Sequence, residues 1–409
     1  MQVADVIGGV IGPSVPIRVI GYDGSKVGPD TAEVALRIVS PRALARLASA
    51  PGSLGLARGF VEGELEVEGD LFTLLDAMAD VTLHQLPRAQ QVRIARQLLP
   101  LWLRHRMPPP ALEYRPPGRL HSKARDRRAI AHHYDVSNTF YRWVLGPSMV
   151  YTCAVYPGEG ATLEEAQAAK HELVARKLGL RAGMRLLDVG CGWGGMVMHA
   201  AAEHGVRALG VTLSRNQAEW AQAEIARRGL SELAEVRHLD YRDVPELEFD
   251  AISSIGLTEH LGRAALPGYF AALLRRLRPG GRLLNHCITQ ARTPTTPRLD
   301  PFIARYVFPD GQLHSLGHLV TVMNDAGFEI RHEENLREHY ARTLADWGRN
   351  LDAHWDEAVA EVGLGRARVW RLYMAASRVG FARDNIQLHQ VLGVRPDPRG
   401  ESGFPLRGW

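Results

Sequence analysis

Chemistry in this chain concentrates where Arg185-Leu186-Leu187-Asp188-Val189 runs into Gly190-Cys191-Gly192-Trp193-Gly194-Gly195. A stretch of strand type turns there on closely spaced glycines and continues into Met196-Val197-Met198-His199-Ala200-Ala201, a helical pattern. Gly190, Gly192 and Gly194 carry no Cβ, so a ligand can reach the backbone. Asp188 stands just before the turn, where a carboxylate can brace the loop and take the ammonium of an amino-acid ligand by charge-assisted hydrogen bonds. The loop has neither a dinucleotide fingerprint nor the Gly-Lys-Ser/Thr ending of a triphosphate loop. It is built for another small cofactor.

The elements that must hold such a loop follow from the surrounding pattern. Thr162-Leu163-Glu164-Glu165 predicts a helix start capped by Thr162, with Glu165 three residues on, leading to Leu180 ahead of the glycine strand. Beyond the loop, Ala208–Leu213 precedes a helix from Ser214, and Ala234–Leu239 and Phe249–Ser254 follow as strands. Arg282–His286 comes after the turn Arg278-Pro279-Gly280-Gly281. This alternation predicts an α/β fold with a parallel, doubly wound sheet, in which ligands gather beyond the carboxyl ends of the strands. Asp188, Thr212, Asp240, Glu259 and His286 all fall near strand ends and should converge on one crevice. Glu259-His260 stands out, because charge after the apolar strand Ile252–Ile255 belongs at a ligand edge.

Upstream, Met1 to about Ala79 reads as a small α+β unit with strands at Ile17–Ile20 and Phe60–Val67. A helix at Pro41–Leu47, capped by Ser40, lies between them. Residues 87–128 differ in character. Gln91–Leu103 carries Val92, Ile94, Leu98, Leu99, Trp102 and Leu103 beside Arg93 and Arg96, an amphipathic helix expected to kink or end near Pro100. A proline-rich linker follows, then the basic cluster Lys123, Arg125, Arg127 and Arg128, which reads either as solvated linker or as a patch for anionic lipid head groups. The domain boundaries are therefore expected at 1–86, 87–128 and 129–409. No apolar run is long enough to span a bilayer and no signal-like start is present, so the expected location is cytoplasmic. The 3 cysteines lack C-x-x-C spacing, and His132-His133 lack a third ligand, so no metal site is expected. A net charge of +4 is compatible with anionic membranes or nucleic acid and chooses neither.

The D-x-G-x-G-x-G pattern resembles the S-adenosylmethionine loop of class I methyltransferases, which implies a Rossmann-like sheet. That class often carries an acidic residue after the second strand; here Thr212-Leu213-Ser214-Arg215-Asn216-Gln217 offers the amide of Gln217, donor and acceptor at once, for the ribose diol. A sharper resemblance rests on His132-His133-Tyr134-Asp135-Val136-Ser137-Asn138, Tyr151-Thr152-Cys153-Ala154, the glycine loop, Thr212–Gln217, Asp240-Tyr241-Arg242-Asp243 and Glu259-His260-Leu261-Gly262. From about Ala129 to Arg395 the chain resembles the cyclopropane-fatty-acyl-phospholipid synthase family, which includes synthases of methylene-branched and methyl-branched fatty acids. Gly59-Phe60-Val61-Glu62-Gly63 and Gly69-Asp70-Leu71 resemble the amino-terminal domain of its phospholipid-acting members.

The resemblance implies methyl transfer from S-adenosylmethionine to the double bond of an unsaturated phospholipid chain, with a bound bicarbonate taking a proton from the resulting carbocation. It implies Cys153, Glu259, His286, Ile288 and Tyr340 as the bicarbonate set. It implies Tyr134, Ser137, Asp188, Gly190, Gly192, Gly194, Thr212, Leu213, Gln217, Asp240, Tyr241 and Arg242 as the cofactor set. Glu259 suits such a site only if it is protonated or accepts the hydrogen of bicarbonate, since adjacent anions repel. The implied partners are membrane phospholipid at the inner face, met peripherally, a homodimer, and a separate reductase if the product is a methylene lipid; no nucleic-acid partner is expected. Pro301–Gly311, with Phe302, Tyr306 and Phe308, is a candidate wall for the acyl chain. A small-molecule or sterol methyltransferase would share the cofactor loop without needing Cys153, His286 and Tyr340. A nucleic-acid methyltransferase would have an N-P-P-Y-type tetrapeptide where Ile255-Gly256-Leu257-Thr258-Glu259 stands, and a non-catalytic lipid-binding protein would bind the cofactor without turnover.

Overall fold

The structure, a computed structural model, describes residues 2–12, 15–81, 86–105, 107–118, 122, 125, 128, 137–293 and 299–407. They form two compact units: Met1–Arg115 with Asp300–Pro309 and Leu351–Val379, and Pro116–Leu299 with Asp310–Asn350 and Gly380–Trp409. Among the described residues, no helix is long and apolar enough to cross a membrane.

The first unit contains a sheet of β1 (Arg18–Ile20), β2 (Lys26–Val27), β3 (Ala35–Ile38) and β4 (Leu65–Glu68) in the order β2-β1-β3-β4. Val3, Ile7, Val19, Leu36, Ile38, Leu44 and Leu65 share its core. Pro41 opens the helix Pro41–Ser49, with the Ser40 hydroxyl accepting from the Arg42 N–H, as the sequence implies. The strand expected at Phe60–Val67 is corrected. Phe60 and Val61 end the helix Ser53–Val61, the chain turns at Gly63 with φ of 72°, and only Leu65–Glu68 is strand. Gly59 lets that helix lie on Leu65, whose Cδ1 would sit 2.8 Å from a Cβ there. The helix Arg88–Arg104 runs through Pro100 rather than ending at it.

The second unit is built on β5 (Arg185–Val189), β6 (Arg207–Thr212), β7 (Ala234–His238), β8 (Phe249–Ile255), β9 (Leu277–Gln290), β10 (His314–Ser315), β11 (Glu329–Asn335) and β12 (Ile386–Val394). The order is β11-β12-β9-β8-β5-β6-β7, with β10 beside β9. Strands β5 to β9 pair in parallel, whereas β12 is antiparallel to both β9 and β11. Helices cover both faces, which explains the nearly continuous apolar strands. Leu186 packs with Val174 and Val197 on one side, Leu187 and Val189 with Phe270 and Leu273 on the other. The expected turn at Arg278–Gly281 is a bulge within β9, where pairing to β8 jumps from Phe249–Leu277 to Ala251–Arg282. This is the doubly wound Rossmann-like sheet expected. Chain order reverses between β5 and β8, so the loop after β5 stands at the topological switch point.

The helix Leu163–Leu178 fixes one wall of that point. Its start is a capping box between Thr162 and Glu165, and its end is Gly179 in the left-handed region. Replacing Thr162 by alanine removes the hydroxyl's bonds to the Glu165 N–H and carboxylate, leaves the Thr162 N–H donating to Glu165, and should lower unfolding free energy by about 1 kcal/mol. Urea unfolding measures this, and an unchanged midpoint would contradict it.

Candidate active site

A cleft at the carboxyl end of β5 is lined by Asp188, Gly190, Gly192, Thr212, Leu213 and Gln217. Lys170, His171, Trp193, Ile255 and His260 complete much of its wall. Gly190 and Gly194 have φ of 76° and 78°, where an L side chain is strained. A Cβ on Gly190 would also lie 2.7 Å from Leu257 Cδ1. The loop is tied to the neighbouring strand by the N–H groups of Gly190 and Cys191, which donate to the Val211 carbonyl at 2.9 and 3.0 Å.

Asp188 is buried and accepts from the Ser253 hydroxyl at 2.6 Å. Burial pushes its carboxyl up to about 6, against the pull of Ser253 and of Lys170. Lys170 is itself buried, donating to Thr152 Oγ1 at 3.1 Å, and burial brings its ammonium down to about 8. Sequence reasoning missed Lys170 and His171. Their signal was present: Gln167, Lys170, His171 and Val174 recur at helical spacing, putting polar groups on the buried face of Leu163–Leu178.

Thr212 donates from Oγ1 to Gln217 Oε1 at 2.8 Å. That occupies the carboxamide oxygen and leaves Nε2 as the group beside Gly192, 4.0 Å from where a Cβ would stand. Asp240 takes Arg242 in a two-pronged ion pair at 2.8 and 2.6 Å and also accepts from the Arg242 N–H at 2.9 Å. Tyr241 meets Tyr269 edge-on at 5.0 Å. These three residues are not part of the cleft wall just described. Ser137 caps the helix Asn138–Leu145, accepting from the N–H groups of Thr139 and Phe140. Next to it, Asn138 Oδ1 accepts from the Trp193 indole at 2.9 Å, joining this segment to the glycine loop. Tyr134, with His132 and His133, lies outside the described residues.

The five residues of the expected anion set stand on four elements. On β9, His286 and Ile288 are two apart and face the same way. The Ile288 N–H donates to Glu259 Oε1 at 2.8 Å, which anchors the one-turn helix Thr258–His260. Glu259 Oε2 is buried with no hydrogen-bond partner among the described residues, and burial raises this carboxyl to about 7. His286 is buried, and desolvation, reinforced by Lys170 and Lys177, holds it neutral. Lys177 donates to Gln390 Oε1 at 2.7 Å, so Gln390 Nε2 faces His286 Nδ1 at 3.2 Å. Nδ1 therefore accepts, the proton sits on Nε2, and Nε2 is a buried donor without a partner among the described residues. Cys153 is fully buried and its thiol is pushed far up by desolvation, so it stays protonated. Its segment docks on the helix Arg337–Ala353, with the Ala154 N–H donating to Thr343 Oγ1 at 3.0 Å. Tyr340, on that helix, lies 4.5 Å from the Phe381 ring and 6.0 Å from Trp347. Rings continue from Trp347 to Tyr151, Tyr141 and Trp193, at 5.3, 5.8 and 4.8 Å.

The expected acyl-chain wall and basic cluster have partners of their own. Phe302, Tyr306 and Phe308 belong to the first unit, where Tyr306 reaches Glu113 at 3.4 Å and Phe308 meets Tyr373 at 5.9 Å. Of the basic cluster, Arg125 is held by Asp310 at 2.7 and 2.8 Å, which gives Asp310 a defined role. Glu172 Oε2 accepts from His204 Nε2 at 3.0 Å and lies 3.4 Å from His199 Nε2. The ligand atoms of these three residues fall within 4.8 Å of one another, a grouping that sequence spacing did not reveal.

A switch-point cleft with an acidic strand end and a left-handed glycine loop defines an S-adenosylmethionine-dependent methyltransferase. Residues 121–391 match the family described as mycolic acid cyclopropane synthetase. A Mycobacterium tuberculosis protein named probable fatty acid methyltransferase is 52% identical over 406 residues, covering 96% of this chain and 94% of its own. The cyclopropane-fatty-acyl-phospholipid synthase of Escherichia coli is 35% identical over 276 residues, covering 68% of this chain and 70% of its own. The crystal structure of a mycolic acid cyclopropane synthase complexed with SAH and CTAB superposes with a TM-score of 0.61 at 32% identity, covering 65% of this chain and 97% of that one. The chain belongs to the mycolic acid cyclopropane synthetase family, whose members modify fatty acyl chains.

If Asp188 receives the cofactor ammonium, Asp188→Ala should weaken S-adenosylmethionine binding at least about tenfold, and Gly190→Val should abolish it. The ionised carboxylate is the binding form, so wild-type affinity should rise from pH 5 to 7, through the Asp188 value of about 6, and then level. Calorimetric titration measures all three; wild-type affinity in both variants would contradict the assignment.

Proposed function

We propose that this enzyme transfers the S-adenosylmethionine methyl to the double bond of an unsaturated acyl chain on a membrane phospholipid, giving a cyclopropane chain. S-adenosylmethionine supplies an electrophilic sulfonium methyl when bound. Bicarbonate, held by His286, Glu259, Ile288, Cys153 and Tyr340, supplies a base for the carbocation's proton. The observation that carries this reading is the pair of buried polar atoms, His286 Nε2 and Glu259 Oε2, each without a partner among the described residues.

The chain's own residues suit that task. Neutral His286 offers its Nε2 proton, and Glu259, half-protonated near neutrality, offers a second proton to an anion. The Ile288 N–H fixes the other carboxyl oxygen, so the donating oxygen is oriented. Cys153, held as the thiol, is a weaker nucleophile than a thiolate would be beside a carbocation. The faces of Tyr340, Tyr151 and Trp347 favour positive charge over a neutral chain. Excluding water keeps the cation from becoming an alcohol.

A second reading has a specific basis. Where family members often carry an aromatic, buried Thr258 precedes Glu259 and supplies no ring face. The relative of 52% identity is named for fatty acid methylation rather than cyclopropanation. A hydride shift before proton loss gives an exocyclic methylene, which a separate reductase converts to a methyl branch. We propose a peripheral position at the inner membrane face, and a lipid-associated amino-terminal domain over 1–86 joined through 87–128 to the catalytic domain 129–409.

Proton NMR of the lipid product distinguishes the two: upfield ring protons support cyclopropane, and vinylidene protons as the major signal would overturn it. Turnover should fall as pH rises above about 7, as Glu259 loses its donor proton. Glu259→Gln keeps a neutral donor and should remove that limb, whereas Glu259→Ala should cost about a hundredfold. A pH-rate profile of Glu259→Gln identical to wild type would contradict the role.

A further inference from the structure

The first unit holds a cavity of about 870 Å³ that the catalytic account does not use. It lies among the helices Val3–Ile11, Pro41–Ser49 and Arg88–Arg104 and the strands β3 and β4, with Val6, Leu36, Leu56, Leu65, Leu98 and Trp102 on its walls. Among the described residues, only Ser53, Gln91 and Trp102 bring a polar N or O side-chain atom to it, and no charged residue does. Its size falls in the range of roughly 300–1,000 Å³ that accommodates whole small ligands. That is far beyond the packing voids of a protein interior. Aliphatic walls give water almost nothing to bond to, whereas a flexible hydrocarbon chain would meet dispersion contacts along its length.

The helix Arg88–Arg104 indicates where such a chain comes from. Gln91, Ile94, Leu98 and Trp102 recur at helical spacing and line the cavity. Val92, Leu99 and Leu103 form a second row and are 49%, 51% and 61% exposed, with Leu99 also reaching the cavity wall. Arg88, Arg93, Arg96 and Arg104 are exposed beside that row, and the helix contains no acidic residue. An exposed apolar row flanked by arginines suits the boundary between head groups and acyl chains of an anionic bilayer. One helix thus presents a lipid-facing surface outward and an aliphatic lining inward.

We propose that this cavity takes an acyl chain of an anionic phospholipid drawn from the bilayer, with Arg88–Arg104 lying in the membrane interface as its cover. The choice of phospholipid rests on the substrate class proposed above, but the cavity can be tested apart from catalysis. The full chain is mixed with phosphatidylcholine vesicles containing phosphatidylglycerol whose acyl chain carries a mid-chain diazirine, irradiated, digested and mapped by mass spectrometry. Adducts are expected on the cavity-lining peptides around Leu36–Leu56 and Ile94–Trp102.

Ala48→Phe, which adds bulk to the wall, should reduce those adducts about tenfold while leaving S-adenosylmethionine affinity unchanged. Leu56→Phe serves if Ala48→Phe does not fold. Labelling absent from this unit, or restricted to Val92 and Leu103 and insensitive to both variants, would overturn the cavity proposal. Equal labelling when the probe is diazirine phosphatidylcholine in purely zwitterionic vesicles would overturn the requirement for an anionic lipid. Methyl transfer is measured on the same vesicles. Labelling without methylation overturns the substrate reading and leaves the cavity standing; methylation without labelling does the reverse.

Discussion

Lys170 is a buried ammonium placed where its charge is felt by Asp188, Cys153, His171 and His286. Withdrawing such a charge from water is costly unless opposite charge and hydrogen bonds compensate, and here Asp188 and the Thr152 hydroxyl provide them. The rest of the site is consistent with that constraint. A positive centre helps Asp188 remain ionisable at the strand end, although burial pushes it upward. The same centre opposes protonation of His286, so the imidazole is a neutral donor and not a competing cation. One lysine thus separates a carboxylate suited to an amino-acid cofactor from a neutral histidine suited to a small anion.

Dryness does the remaining sorting of protonation states. Desolvation is the largest influence on Glu259, His286, Cys153 and Lys170 alike, raising the acids and lowering the bases. Near neutrality Glu259 is therefore part-protonated, His286 neutral and Cys153 a thiol, while Lys170 keeps its charge. β5 and β8 pair in parallel at the switch point, and the helix Arg337–Ala353 brings Thr343 against the Cys153 segment.

The sheet and its glycine loop were legible in the sequence because each rests on local information. Strand–helix alternation, the Thr162 capping box and the Asp188–Gly194 spacing all lie within short windows. Of the five strand-end residues expected to share one crevice, Asp188 and Thr212 line the cleft, whereas Asp240, Glu259 and His286 are not on its wall. Lys170 was not legible in the same way, since an isolated lysine on a helix usually points to solvent; its burial depends on β8, β9 and the helix Gly195–His204 packing against that helix. Phe60 and Val61 misled because β-favouring residues at a helix end look like the start of the strand that follows Gly63. The Arg125–Asp310 pair joins residues 185 positions apart, beyond the reach of any local pattern.

The central claim is that His286 and Glu259 cradle an anion that acts as the base. Turnover on unsaturated phospholipid, measured in buffer stripped of carbon dioxide and then supplemented with bicarbonate, tests it most directly. The account predicts a fall of about a hundredfold on stripping, full recovery on addition, and no bicarbonate response in His286→Ala. Undiminished turnover by the wild-type enzyme in the stripped buffer would contradict it.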